Sequence, residues 1–208
     1  RLQPWVWFYL LVLIVLASGK KRNESGTVGA LRWLLAAVYF WSGFSKITPY
    51  FAEDNFAWFC EAFEFTRPLG RMPVLGYAIA LSEMLFAAGL MWERSRSSFR
   101  WIVAAFHVLI ILFLINLDWN WVVIPWNLAM AGMAWVLFAD PAGMSFSGNR
   151  SSSSLPAGLN LQRCLLIGGA WIAPFFSYLN CWPQALSWQL YSNTQPEATY
   201  FNSKRVRY

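Results

Sequence analysis

Long apolar runs separated by polar stretches dominate the chain. The runs cover residues 4–18, 28–48, 73–92, 101–117, 122–139 and 164–178. Most of them are close to the roughly 20 residues that an α-helix needs to cross the hydrocarbon core of a bilayer. The pattern therefore predicts an all-α integral membrane protein, with a bundle of five to six transmembrane helices depending on whether the short first run spans.

Residues 50–72 break this pattern, because acidic side chains alternate there with aromatic ones. Four apolar positions follow the i, i+3, i+4, i+7 spacing of one helical face: Phe56, Phe59, Cys60 and Phe63. Asp54 is placed to cap such a helix at its N-terminus. The segment predicts an amphipathic helix lying in the membrane interface, with an ordinary surface loop as the alternative.

The charges between the runs alternate in sign along the chain. Basic loops at 19–27, 93–100 and 140–163 are expected in the cytoplasm, whereas the acidic stretches 50–72 and 118–121 and the C-terminal tail are expected outside. The expected location is a bacterial inner membrane. The predicted organisation is an N-terminal helix with its basic loop (1–27), a four-helix core containing the interfacial helix (28–139), a flexible cytoplasmic loop (140–163), and a last helix with a short extracytoplasmic tail (164–208).

Composition supports the membrane class and excludes one class of partner. The chain is 58% hydrophobic and only 12% charged, whereas soluble domains carry about 25% charged residues. Its net charge of +6 comes largely from short loops, where basic residues set topology. Nucleic acid is therefore not an expected partner, and the expected partners are membrane lipids and other membrane protein subunits.

Glu83 and His107 lie well inside apolar runs, where a charge costs roughly 2.5–3.5 kcal/mol on insertion scales. Burial of Glu83 favours its neutral form unless a cation lies nearby. His107 is the single histidine, and it can exchange a proton near neutral pH. We expect the two to pair if their helices are neighbours, with His107 on the cytoplasmic side of Glu83. The pair is either a proton relay or head-group site, for example for a quinone, or a structural interhelical hydrogen bond.

Further polar residues lie near the outer ends of their runs. Lys46, Asp118 and Asn127 are at similar depths and are expected to form an outward-facing polar cluster, with Trp126 beside Asn127. The alternative is that Lys46 extends its ammonium group to the interface while its stem stays in apolar surroundings.

Three cysteines are present. Cys60 and Cys181 are both expected outside, near the membrane, where they form a disulfide, remain free thiols or act as a redox pair. The chain has no Cys-x-x-Cys motif and one histidine, so no metal site is expected.

Two stretches resemble the first two helices of DoxX-like membrane proteins, a group that includes MauE-type proteins. In residues 31–47 a Leu-Arg pair precedes an apolar stretch that ends in Ser-Gly, two further residues and Lys46. In residues 80–90 Glu83 precedes an apolar exit containing Gly89. With the basic loop and two helices that follow, the resemblance covers about residues 28–139. The N-terminal helix and the sixth run are departures from the family pattern.

This resemblance implies a redox-associated role. Some members resemble the membrane subunit of thiosulfate:quinone oxidoreductase, and MauE-like proteins are linked to thiol redox chemistry. Arg32, Lys46 and Glu83 are the matching positions. The candidate residues are therefore Glu83, His107 and Lys46 for chemistry, and Asn127, Trp126 and Arg32 for binding a cofactor such as a quinone.

Two other functions remain open, as does whether the chain is an enzyme. High aromatic content and small-residue helix faces suit a non-catalytic accessory subunit of a larger membrane complex. The stretch 186–192 resembles tails of membrane proteins related to vitamin K-dependent carboxylase, which implies a carboxylase-like enzyme.

Overall fold

A computed structural model describes residues 4–18, 24–139, 161–183 and 186–189 of the protein. These residues form helices and turns, and no strand occurs among them. The α-helices are α1 (Pro4–Ala17), α2 (Glu24–Ser45), α3 (Phe56–Cys60), α4 (Pro73–Met91), α5 (Arg96–Asn116), α6 (Val123–Leu137) and α7 (Leu161–Ile172). The predicted all-α fold class is confirmed for this part of the chain.

Two helices, α4 and α5, are long and apolar enough to cross a membrane. They contain 19 and 21 residues, which at about 1.5 Å per residue gives close to the 30 Å of a hydrocarbon core. Helices α1 and α6 are apolar but shorter. Length and composition therefore single out α4 and α5 as candidate spans.

Several helix ends differ from the sequence pattern. Helix α5 begins at Arg96 rather than at residue 101, and the Arg96 guanidinium donates to the carbonyls of Leu90 and Met91 at 3.2 and 3.3 Å. The basic loop is therefore largely helical, and Arg96 satisfies carbonyls that the end of α4 leaves open. Helix α7 begins at Leu161, and the flexible loop expected before it lies outside the described residues up to position 160.

The prediction of one amphipathic helix over residues 50–72 holds for its first half, since residues 49–60 are helical, and is wrong beyond Cys60, where the chain turns. A π-helical turn at Phe51–Asn55 leads into the short α3, and a 3₁₀ turn follows at Arg67–Arg71. Asp54 lies inside the π-helical turn instead of capping a helix. Thr66 Oγ1 donates to the carbonyl of Cys60 at 2.6 Å, and such side-chain bonds to the backbone compete with helix continuation.

Helix α2 occupies the centre of the bundle and packs against α1, α4, α6 and α7. Its closest approach is to α4, where a Cβ atom placed on Gly43 would lie 2.5 Å from the carbonyl oxygen of Ala80. Real Cβ atoms do not approach a backbone oxygen so closely. Glycine at position 43 therefore allows the two helix backbones to touch.

One end of the bundle is held by buried or half-buried arginines. Arg32 Nε donates to the carbonyl of Leu137 at 2.6 Å. Arg163, which is almost fully buried, donates to Thr27 Oγ1 at 2.8 Å and to Ser18 Oγ at 3.3 Å. The end of α1, the starts of α2 and α7 and the end of α6 therefore meet at this end.

The segment 51–72 and the turn after α5 lie together at the opposite end. Asn116 Nδ2 donates to the carbonyl of Ala62, and the rings of Trp58 and Trp119 are 4.7 Å apart. These contacts agree with the alternation of charge, which required both stretches to be on the same side.

Candidate functional site

A cavity of about 900 Å³ lies among α2, α4, α5, α6 and the segment 51–72. Aromatic and aliphatic side chains form most of its wall. Four helices also bring polar side chains to it: Tyr39, Ser42 and Lys46 from α2, Ser82 and Glu83 from α4, His107 from α5, and Asn127 from α6. A large apolar pocket with a few convergent polar groups is the usual form of a site for small molecules.

The first polar group, which we term the charged cluster, consists of Ser42, Lys46 and Glu83. Lys46 Nζ donates to Glu83 Oε1 and Oε2 at 2.7 and 2.6 Å. It also donates to Ser42 Oγ at 2.8 Å, and that hydroxyl donates to Glu83 Oε2 at 2.8 Å. Lys46 and Glu83 are each only 6% exposed.

The charged cluster depends on the close contact of α2 with α4. Ser42 and Lys46 flank Gly43, while Glu83 is one helical turn beyond Ala80, so the touching backbones bring the three side chains together. Each charge is costly to bury alone, but the pair and its hydroxyl satisfy one another. The sequence left open whether a cation lies near Glu83, and Lys46 is that cation.

The outward-facing cluster of Lys46, Asp118 and Asn127 is not formed. Lys46 turns inward to Glu83, so its extension to the interface is also wrong. Asp118 is exposed and accepts a hydrogen bond from Trp121 Nε1 at 3.0 Å. Helix packing, rather than depth, decides these pairings, because residues at equal depth on different helices need not face each other.

The second polar group, which we term the neutral chain, runs through Tyr39, His107 and Asn127. Asn127 Nδ2 donates to the carbonyl of Val123 at 2.9 Å, which leaves Oδ1 as an acceptor. His107 Nδ1 is 2.8 Å from that oxygen and therefore carries the proton. The other ring nitrogen, Nε2, then accepts from the hydroxyl of Tyr39 at 2.8 Å.

The expected direct pair of Glu83 with His107 is not formed, because each bonds to other partners. Both line the same cavity, so the structure brings them to one site without joining them. Since α5 begins at Arg96, His107 also lies halfway along its helix and is not displaced toward the cytoplasmic end.

Of the two remaining binding candidates, Trp126 and Arg32, one lies at the cavity and the other does not. Trp126 lines the cavity and packs edge-on against Phe8, with ring centroids 5.2 Å apart. Arg32 lies two turns before Tyr39 on α2, and its guanidinium stacks on Phe138 at 5.5 Å. Trp126 therefore belongs to the site, whereas Arg32 holds the end of α6.

Of the alternatives for Cys60 and Cys181, the disulfide is not formed, since both thiols are free. Cys60 is buried and lines the cavity, and burial raises the pKa of its thiol. Cys181 is exposed, and its thiol donates to the carbonyl of Leu179.

Sequence reasoning missed two polar residues. Tyr39 precedes Ser42 by three positions and Lys46 by seven, the spacing of one helical face, and that spacing was the available signal. Arg163 was assigned to a loop, yet it is buried. No local sequence pattern predicts that Arg163 lies among three helix ends.

The site combines proton-donating groups, a carboxylate and an imidazole within apolar walls. Such an arrangement can bind a polar head group and exchange protons with it, while the walls exclude bulk water. No protein-family model, curated protein or solved structure matches the chain.

Proposed function

We propose that the protein is a multi-pass membrane protein of the DoxX type whose cavity binds the head group of a lipophilic molecule, with a quinone as the leading candidate. One observation carries this proposal: the charged cluster and the neutral chain are buried side by side in a cavity whose walls are otherwise mainly apolar. A ligand that fits this cavity needs a polar group to bond with the two sets of polar side chains. It also needs a hydrocarbon part to pack against the apolar walls.

The distribution of side chains supports membrane insertion. Charged and polar residues of the core helices, such as Lys46 and Glu83, point inward, whereas large apolar side chains are exposed. The exposed residues on α4 and α5 include Val74, Leu81, Leu85, Ile102, Val108, Leu109, Leu112 and Ile115. This is the reverse of a water-soluble bundle, and it suits helices in contact with lipid.

In the proposed topology five to six helices cross a bacterial inner membrane. The end that carries Arg32, Arg96 and Arg163 faces the cytoplasm, as the positive-inside rule requires. Segment 51–72, the turn after α5 and the C-terminal tail are outside. Expected partners are lipids and other membrane subunits.

The donors at the site fit the oxygen atoms of a quinone. A bound quinone supplies two-electron, two-proton redox chemistry. Lys46 and the hydroxyls of Ser42 and Tyr39 can each donate a hydrogen bond to an acceptor oxygen in exchange for their present bonds to Glu83 and His107. Glu83 and His107 can hold or release a proton beside it.

Binding of decylubiquinone to the purified protein in lipid nanodiscs, measured by calorimetry, tests the proposal. We expect saturable binding to the parent protein and a loss of about tenfold or more in the double variant K46M/E83M, which removes both charges together. The matched control is G132A, because a Cβ atom at position 132 meets nothing within 4 Å.

Mass spectrometry of the gently solubilised native protein separates this function from the accessory-subunit alternative. A lipophilic quinone present in stoichiometric amount supports the proposal. Stable co-purification with larger subunits, no bound lipophile and unchanged behaviour of K46M/E83M would favour a structural role and reject head-group binding.

A further inference from the structure

The cavity reaches the surface of the bundle between α4 and α5. Several residues that line it are also exposed: Ala78 on α4, Leu109 on α5, and Phe65 and Leu69 on the segment between residues 51 and 72. All four are apolar, and we term them the rim of the cavity. The polar atoms of Tyr39, Lys46, Glu83, His107 and Asn127 lie deeper, on residues that are nearly fully buried.

The end of α4 packs closely against the start of α5, next to the short loop that joins the two helices. The ring of Phe99 covers Gly89, where a Cβ atom would lie 2.2 Å from the ring. One turn deeper, the rings of Phe86 and Phe106 meet edge-on with centroids 5.1 Å apart. Beyond these contacts the facing side chains of the two helices line the cavity.

Segment 51–72 keeps the two helices apart at the other end. Its start rests on α4, where a Cβ atom on Gly76 would lie 2.7 Å from Cα of Ala52. Its middle rests on α5, where Phe59 and Phe63 lie 5.6 and 5.1 Å from the ring of Phe113. The segment therefore acts as a wedge, and the opening lies between the wedge and the Phe86–Phe106 contact.

We infer that the ligand is a membrane-resident amphiphile whose hydrocarbon tail leaves the cavity sideways between α4 and α5. The inference rests on the head-group site proposed above. An apolar rim around a polar interior matches a molecule with a polar head and an apolar tail. A water-soluble ligand would instead meet an apolar rim on its way to every polar group. Head groups of quinones and of lipids share this chemistry.

Tryptophan substitutions at the rim test the route. A78W and L109W would fill the opening, and each has a matched control on the same helix. A88W replaces an exposed alanine of α4, and V108W replaces a residue of α5 that is 50% exposed, as Leu109 is. Neither control position lines the cavity. Melting temperatures equal to that of the parent establish that the variants fold.

The probes are decylubiquinone and its tailless counterpart 2,3-dimethoxy-5-methyl-1,4-benzoquinone, with phosphatidylglycerol and its deacylated head group as the lipid pair. We expect A78W and L109W to weaken binding of the tailed probe about tenfold, the effect of about two excluded methylene groups. Binding of the tailless quinone should be unchanged, and A88W and V108W should bind both as the parent does. The pair that the parent binds identifies the source of the head group.

Rim variants that bind the tailed probe as tightly as the parent would overturn the sideways route. Equal loss of the tailed and tailless probes would also overturn it, because the head group itself would then occupy the opening. A parent protein that binds neither pair would reject the proposed function, which is a different result from failure of the route.

Discussion

The charged cluster and the neutral chain line the same cavity and share α2, yet they hold their polar atoms in different ways. Lys46 and Glu83 are joined by opposite charge, and the join depends on two backbones touching at Gly43. The neutral chain crosses three helices through single directional hydrogen bonds. The charged cluster is therefore most sensitive to an unbalanced charge, whereas the neutral chain is most sensitive to the loss of a single hydrogen-bond donor.

Removing one charge should produce the largest effect. K46M or E83Q alone leaves its former partner buried without compensation, and should lower the free energy of unfolding by about 3–5 kcal/mol. The double variant K46M/E83M should be much closer to the parent, because an apolar pair of similar volume carries no charge to desolvate. Denaturant unfolding in detergent measures both. A double variant as unstable as the sum of the singles would contradict the charge argument.

Separating the backbones should produce the next largest effect. G43A places a methyl group against the carbonyl of Ala80, which cannot move aside, and should cost about 2–3 kcal/mol as an overpacked site. G132A is the control and should be neutral or slightly stabilising, since alanine favours helix and nothing is close. Equal stability of the two variants would show that α2 and α4 do not touch.

Breaking the neutral chain should cost less. Y39F removes the donor to Nε2 of His107 and leaves that buried acceptor unpaired, at a cost of about 1–2 kcal/mol. Y9F, which changes a partly exposed tyrosine of α1, is the control and should be within experimental error of the parent. The same unfolding assay reports both, and a Y39F protein as stable as Y9F would show that the bond is absent.

The smallest effect concerns access to the cavity. Burial raises the pKa of the Cys60 thiol, so less thiolate is present at a given pH and alkylation should begin at higher pH than for an ordinary exposed thiol. Cys164 and Cys181 are exposed and should be labelled first by a maleimide. Labelling of C60A and C181A, each made in a C164A background, assigns the sites. Rapid labelling of Cys60 in the native protein would mean that its thiol is open to water.

The helices could be predicted from sequence because apolar runs and their interruptions are local features. Runs at 73–92 and 122–139 correspond closely to α4 and α6. The start of α5 was missed, because Arg96 is polar yet bonds to carbonyls at the end of α4. The break within 50–72 was missed because Thr66 ends the helix through its side chain.

The sequence predicted which residues line the candidate site better than it predicted which of them bond to each other. Glu83, His107, Lys46 and Asn127 stand out as polar residues in apolar runs, and all four line one cavity. Their partners depend on which helices are neighbours, and that is decided by contacts such as Gly43 with Ala80. No charge or depth argument contains this information.

The orientation of Asn127 limits where a proton can travel. Its amide nitrogen is committed to the carbonyl of Val123, so its oxygen faces His107. A carboxamide does not readily take up or release a proton, so transfer cannot continue past the imidazole into α6. The neutral chain therefore ends at His107 for proton transfer, and a proton held there leaves through Tyr39 or directly into the cavity that His107 lines. The site can take up and release a proton locally, but the neutral chain cannot conduct protons across the bundle.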